Sequence, residues 1–138
     1  FSTGLGMPEQ QNKTERKTVL VVEDEPRVRR YSCRIFASLG YHTCEAENAG
    51  MAISMLVDCH DKIDLVFSDI VMPGENNGRD LGRHVQANYE DIEVLLTSGY
   101  EKTMPNSTQE QESSRVLPVL KKPFSKEDLV NALEALSA

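Results

Sequence analysis

A chain of 138 residues, 39% hydrophobic and 27% charged, is long enough for one domain with a real core and too short for a core plus a separate effector module. Its formal net charge of -7 argues against a nucleic-acid or anionic-membrane surface, because such partners need clustered Lys and Arg to displace counterions. No apolar run approaches the ~20 residues that cross a bilayer, no signal-peptide pattern opens the chain, and Cys33, Cys44 and Cys59 form no C-x-x-C pair, so reduced, half-buried thiols in a cytoplasmic chain are expected.

Residues 1–17 (FSTGLGMPEQQNKTERK) are polar, rich in turn formers and aperiodic, so a flexible leader or tag is expected there and the domain over 18–138. Val19-Leu20-Val21-Val22 reads as the first strand, after which Val28, Tyr31, Ile35 and Leu39 recur at helical spacing up to Gly40. The basic run Arg27-Val28-Arg29-Arg30 in that helix reads as a solvated face. Tyr41 to Ala46 is the second strand, followed by a helix with Ala49, Ala52, Ile53 and Leu56 on one face and Asn48 as N-cap. Ile63 to Ser68 is the third strand, Leu81 and Val85 mark a helix after Gly78, and Ile92 to Thr97 and Val116 to Leu120 are the fourth and fifth strands.

Between Gly99 and Arg115 only Met104 is clearly apolar and Pro105 interrupts the stretch, so the fourth helix is expected to be short or irregular and residues 101–115 mobile. The last helix is the best marked: Ser125-Lys126-Glu127-Asp128 resembles a capping box, and Leu129, Ala132, Leu133 and Leu136 form its stripe. Strands alternating with helices imply an α/β fold, a doubly wound five-stranded parallel sheet covered on both faces.

In such a sheet the functional site lies beyond the carboxyl ends of the strands. Those ends carry Glu23-Asp24-Glu25, Asp69, Thr97-Ser98-Gly99 and Lys121-Lys122-Pro123. Carboxylates gathered in one place repel unless a hard divalent cation sits among them, and oxygen-only ligation suits Mg²⁺ at ~2.0–2.1 Å. A lysine and a hydroxyl beside that ion would meet the oxygens of a transferred group, which describes a phosphoryl acceptor, since that transfer is mainly positioning and neutralisation of charge.

The set Glu23-Asp24, Asp69 with Met72-Pro73-Gly74, Thr97-Ser98-Gly99-Tyr100 and Lys122-Pro123-Phe124 resembles the receiver domain of bacterial two-component response regulators, over residues 18–138. The resemblance implies a flavodoxin-like (βα)5 fold and a phosphoacceptor, Asp69, that takes its phosphoryl group from the phosphohistidine of a histidine kinase or histidine phosphotransfer protein. It implies Mg²⁺ held directly by Asp24, Asp69 and the backbone carbonyl of Val71, with Glu23 acting through a metal-bound water. Lys122 rather than Lys121 matches the family lysine because it precedes Pro123, and strand neighbours face opposite ways. Ser98 matches the switch hydroxyl, with Thr97 the close second choice, because Gly99 then fills the small position that follows. Ser98-Gly99-Tyr100 is similar to the receivers of hybrid sensor kinases.

Further implied are a chain that catalyses only its own phosphorylation and dephosphorylation, an unidentified downstream protein partner, no nucleic-acid or membrane contact, and a monomer or weak dimer. With Ala138 directly after the last helix, either a stand-alone receiver or a piece of a larger protein is expected. Three departures stand out. The loop MPGENNG is one residue longer than usual, Val119 stands where receivers carry a switching aromatic, and Val71 and Tyr100 stand two beyond the acceptor and two beyond the switch hydroxyl, where the resemblance implies that residues flank the path of the hydrolytic water. Neither offers a ready general base, so slow self-dephosphorylation is expected. A haloacid dehalogenase-type phosphatase would want a second carboxylate at Val71. Glu25 reads as solvated, and His42, His60 and His84 lack metal spacing.

Overall fold

The computed structural model describes residues 16–72, 77–99 and 117–137. Strand β1 (Thr18–Val22) leads into helix α1 (Pro26–Ser38), and β2 (His42–Ala46) into α2 (Ala49–Cys59) and a 3₁₀ turn (His60–Lys62). After β3 (Leu65–Asp69) come α3 (Gly78–Asn88), β4 (Glu93–Ser98), β5 (Val119–Lys121) and α4 (Lys126–Ser137). The five strands form one parallel sheet in the order β2-β1-β3-β4-β5, the doubly wound class expected. Most of the leader, the Pro73-Gly74 turn, Tyr100 and the doubtful fourth helix at 101–115 lie outside the described residues.

Side chains alternate across the pleat, so each strand feeds two cores. Leu20, Val22, Val66 and Leu96 pack beneath α2 and α3 with Ala52, Leu56, Leu81 and Val85. Val19, Val21, Phe67 and Leu95 pack on the other face with Phe36 of α1 and Leu129 of α4. Phe67 meets Phe36 and Phe124 edge-on, with ring centroids 5.0 and 5.7 Å away, a geometry that adds about 0.5–1.5 kcal/mol per pair to the burial itself.

The helix starts follow local chemistry. Pro26 occupies the first turn of α1, where its missing N–H is not needed. Asn48 accepts the Met51 N–H at 2.8 Å, and Ser125 and Asp128 exchange reciprocal bonds of 2.9 and 3.0 Å. α3 has a second capping box, with Asn77 accepting from Asp80 N–H at 2.9 Å and Asp80 accepting from Asn77 N–H at 3.0 Å.

The strand boundaries shift most from the sequence reading at β3 and β5. β3 runs on through Asp69 and begins only at Leu65, because the 3₁₀ turn takes up the chain just before it. β5 pairs only from Val119; Pro118 has no N–H to give, although its carbonyl still accepts from Leu96 at 2.9 Å. Cys33, Cys44 and Cys59 are free and half-buried. Burial, aided by the charge of Glu45, pushes the Cys33 thiol up to about 11. No helix among the described residues is long and apolar enough to cross a membrane.

Candidate functional site

The register decides what meets at the carboxyl edge of the sheet. Val22 pairs with Ser68, and Asp69 with Thr97, so the residues following β1 arrive level with the end of β3. Glu23 and Asp69 are 5% and 7% exposed, while Asp24 stands in solvent. One carboxylate oxygen from each of the three lies within 4.8 Å of the others. Lys122, just past β5, places Nζ 3.0 Å from Glu23 Oε1 and 3.4 Å from Asp69 Oδ1. Lys121, its neighbour, is exposed.

Burial pushes the Glu23 carboxyl upward and the Asp69 charge adds to this, against the Lys122 hydrogen bond. Asp69 is likewise raised by burial, opposed by the Lys122 charge and assisted by Asp24. Burial works against the charged form of Lys122, but the hydrogen bond to Glu23 and the charge of Asp69 outweigh it, and its pKa is raised. One ammonium cannot neutralise three carboxylates. The remaining excess of negative charge, presented by oxygen donors alone, suits a hard divalent cation such as Mg²⁺.

The acceptor loop is anchored on both sides. Ile70 N–H bonds the Thr97 carbonyl at 2.9 Å, and Gly78 N–H bonds the Ile70 carbonyl at 2.8 Å. A Cβ on Gly78 would fall inside contact distance of the Asp69 carbonyl oxygen, so only glycine lets α3 begin this close to Asp69. Val71 is 60% exposed at the mouth of the loop and Met72 is buried behind it. Thr97 is 2% exposed, whereas Ser98 is only partly buried and its carbonyl accepts the Lys122 N–H at 2.8 Å.

A buried carboxylate at a strand end, an acid pair beside it and a lysine shared between them form one constellation, and the pattern of the response regulator receiver domain matches residues 19–134. The chain belongs to the response regulator receiver family. It is 34% identical over 125 residues to the sensor kinase CckA of Brucella abortus (strain 2308), covering 86% of this chain but 12% of that protein. With the response regulator receiver protein CpdR of the same strain it shares 30% identity over 120 residues, covering 87% of this chain and 96% of that one. The solved receiver domain of the hybrid histidine kinase CckA superposes with a TM-score of 0.69 at 26% identity, over 88% of this chain and 99% of that one. Chemotaxis protein CheY4 of Vibrio cholerae gives 0.73 at 24%, over 88% and 98%.

In this receiver, Val119 is exposed. Glu25 is exposed, as the sequence suggested. His60 stacks on Tyr89 at 4.9 Å, and His84 meets the same ring edge-on at 6.1 Å, so both are accounted for by packing. Sequence reasoning missed two connections. Tyr31 of α1 donates its hydroxyl to the Phe124 carbonyl at 2.8 Å, tying α1 to the segment after Lys122. Arg29, read as part of a solvated basic run, is 16% exposed and bonds the Glu23 carbonyl at 2.7 Å. Nothing in linear sequence separates Arg29 from Arg27 and Arg30; only the fold does.

Proposed function

We propose that this receiver is the phosphoacceptor of a two-component phosphorelay, with Asp69 taking a phosphoryl group from the phosphohistidine of a histidine kinase or histidine phosphotransfer protein. The observation that carries this is Lys122 Nζ shared between Asp69 and Glu23 beside Asp24. A carboxylate oxygen of Asp69 attacks phosphorus, the new O–P bond forms, and the N–P bond of the donor breaks with its electron pair returning to the imidazole nitrogen. Lys122 is placed to follow the charge onto the phosphoryl oxygens, because its hold on Asp69 is the looser of its two contacts. We assign the hydroxyl that bonds that group to Ser98, which is less buried than Thr97.

Asp24, Asp69 and the Val71 carbonyl would hold Mg²⁺, with Glu23 behind them, and the bound ion would neutralise charge on the transferring oxygens. The phosphorylated state would then change the binding of a downstream protein in the cytoplasm. Incubation with a phosphohistidine donor, followed by borohydride reduction, should convert residue 69 to homoserine in peptide mass spectra. Homoserine at another residue, or at none while the donor loses its phosphate to this chain, would refute the assignment.

A further inference from the structure

We propose that Arg29 is a positioning residue for the acid pair, its guanidinium holding the peptide that joins Glu23 to Asp24. Resting on the metal-holding role proposed for that pair, the inference starts from an arginine that donates from two of its nitrogens to two different elements. Nη1 donates to the Glu23 carbonyl at 2.7 Å, and Nε donates to Glu45 Oε1 at 2.9 Å. Glu45 precedes Ala46, whose carbonyl accepts the Glu23 N–H at 3.1 Å. The corner after β1 is therefore pinned at its N–H by the end of β2, and at its carbonyl by an arginine anchored to that same strand end.

The Glu23 carbonyl belongs to the planar peptide whose other half is the Asp24 N–H, so fixing it sets ψ of Glu23 and φ of Asp24 together. The Glu23 carboxylate has its own restraints, Lys122 at 3.0 Å and the Glu25 N–H at 3.3 Å. Asp24 is exposed, and its direction depends on the backbone that carries it. Arg29 thus acts on Asp24 through the main chain.

Charge and geometry make opposite predictions here. A cation near three carboxylates repels a second cation, so its removal should tighten Mg²⁺ binding if charge dominates. The charge of Arg29 is already paired with Glu45 at 2.9 Å, which leaves orientation as the larger effect. Outer partners of metal ligands typically matter 10–100-fold in affinity. Arg29→Ala should therefore weaken Mg²⁺ binding about 10-fold, and Arg29→Lys, which keeps the charge but loses the fork, should weaken it several-fold. Glu45→Gln should weaken it less than Arg29→Ala and add little on top of it.

The test is calorimetric titration of the parent and the three single variants with Mg²⁺ alone, beside melting in EDTA and acetyl phosphate labelling at saturating Mg²⁺. The proposal expects weaker affinity in all three, with labelling recovering toward the parent once the site is saturated. Should Arg29→Ala fail to fold, Arg29→Lys and Glu45→Gln carry the same comparison. Parent-like or tighter Mg²⁺ binding in those folded variants overturns the positioning role and leaves the acceptor assignment standing. A parent that binds no Mg²⁺ overturns the metal site itself, and this inference with it.

Discussion

Glu23 and Asp69 are two buried carboxylates beside one ammonium, so the three groups cannot be changed independently. Replacing Lys122 by Met removes the cation that would follow charge onto the phosphoryl oxygens, and labelling by acetyl phosphate should fall about 100-fold or more. The same change leaves the carboxylates unneutralised, so Mg²⁺ titration should show affinity equal to or above the parent's. Loss of both labelling and metal affinity in a folded Lys122→Met protein would mean that the lysine is structural. Val71, largely exposed and without a titratable group, bears on lifetime. Val71→Asn combined with Tyr100→Glu should open the water path and shorten the half-life of the aspartyl phosphate, followed by phosphate release in matched Mg²⁺. An unchanged half-life would refute the expectation that Val71 and Tyr100 slow self-dephosphorylation.

The helix that follows the acceptor illustrates how much local sequence can and cannot say. Asn48 and the Ser125–Asp128 box were legible, because a polar cap preceded a clear apolar stripe. The Asn77–Asp80 box was missed although its residues are in plain sight; two asparagines and an extra loop residue left the start of α3 ambiguous. Asn77→Ala should cost about 1 kcal/mol in chemical denaturation without altering labelling of the folded protein. The contact between Gly78 and the Asp69 carbonyl had no sequence signal, since it depends on how α3 returns to the strand end. Gly78→Ala should destabilise by about 1–3 kcal/mol. Because the strain falls on the acceptor peptide, that variant should also label more slowly, unlike Asn77→Ala; equal rates would show that the contact is packing alone.

Across the whole sheet, alternation and strand–helix order were enough to specify a parallel, doubly wound fold, but not the order of its strands. That order, with β1 between β2 and β3, is what brings Glu23 and Asp24 beside Asp69. The ion pair from Lys122 to Glu23 spans 99 positions and is invisible to any local pattern; the strand-end argument brought both residues to one edge of the sheet and the family resemblance singled out Lys122 over Lys121, but neither specified this contact. The same assembly sets the pH dependence. For Glu23 and Asp69 the folded pKa is raised, so their contribution to stability is fully present below the unfolded carboxylate range and is lost as pH rises through the folded values. The contribution of Lys122, raised above the usual lysine value, persists at neutral pH and is lost only in the alkaline range. In EDTA at pH 7, Asp69→Asn should melt higher than the parent by roughly 4 °C, on the order of 1 kcal/mol. The gain should shrink on acidification, and Mg²⁺ should stabilise the parent more than the variant. A variant that melts lower than the parent at pH 7 in EDTA would show that the Asp69 charge stabilises the fold.

The claim that organises all of this is that Asp69 is the nucleophile and that the acid pair works through a divalent metal. Intact mass after incubation with acetyl phosphate, for the parent and Asp69→Asn, each with Mg²⁺ and with EDTA, addresses it most directly. One added phosphoryl group in the parent with Mg²⁺, and none in the other three samples, is the expected result. Labelling that persists in Asp69→Asn, or that proceeds undiminished in EDTA, would contradict it.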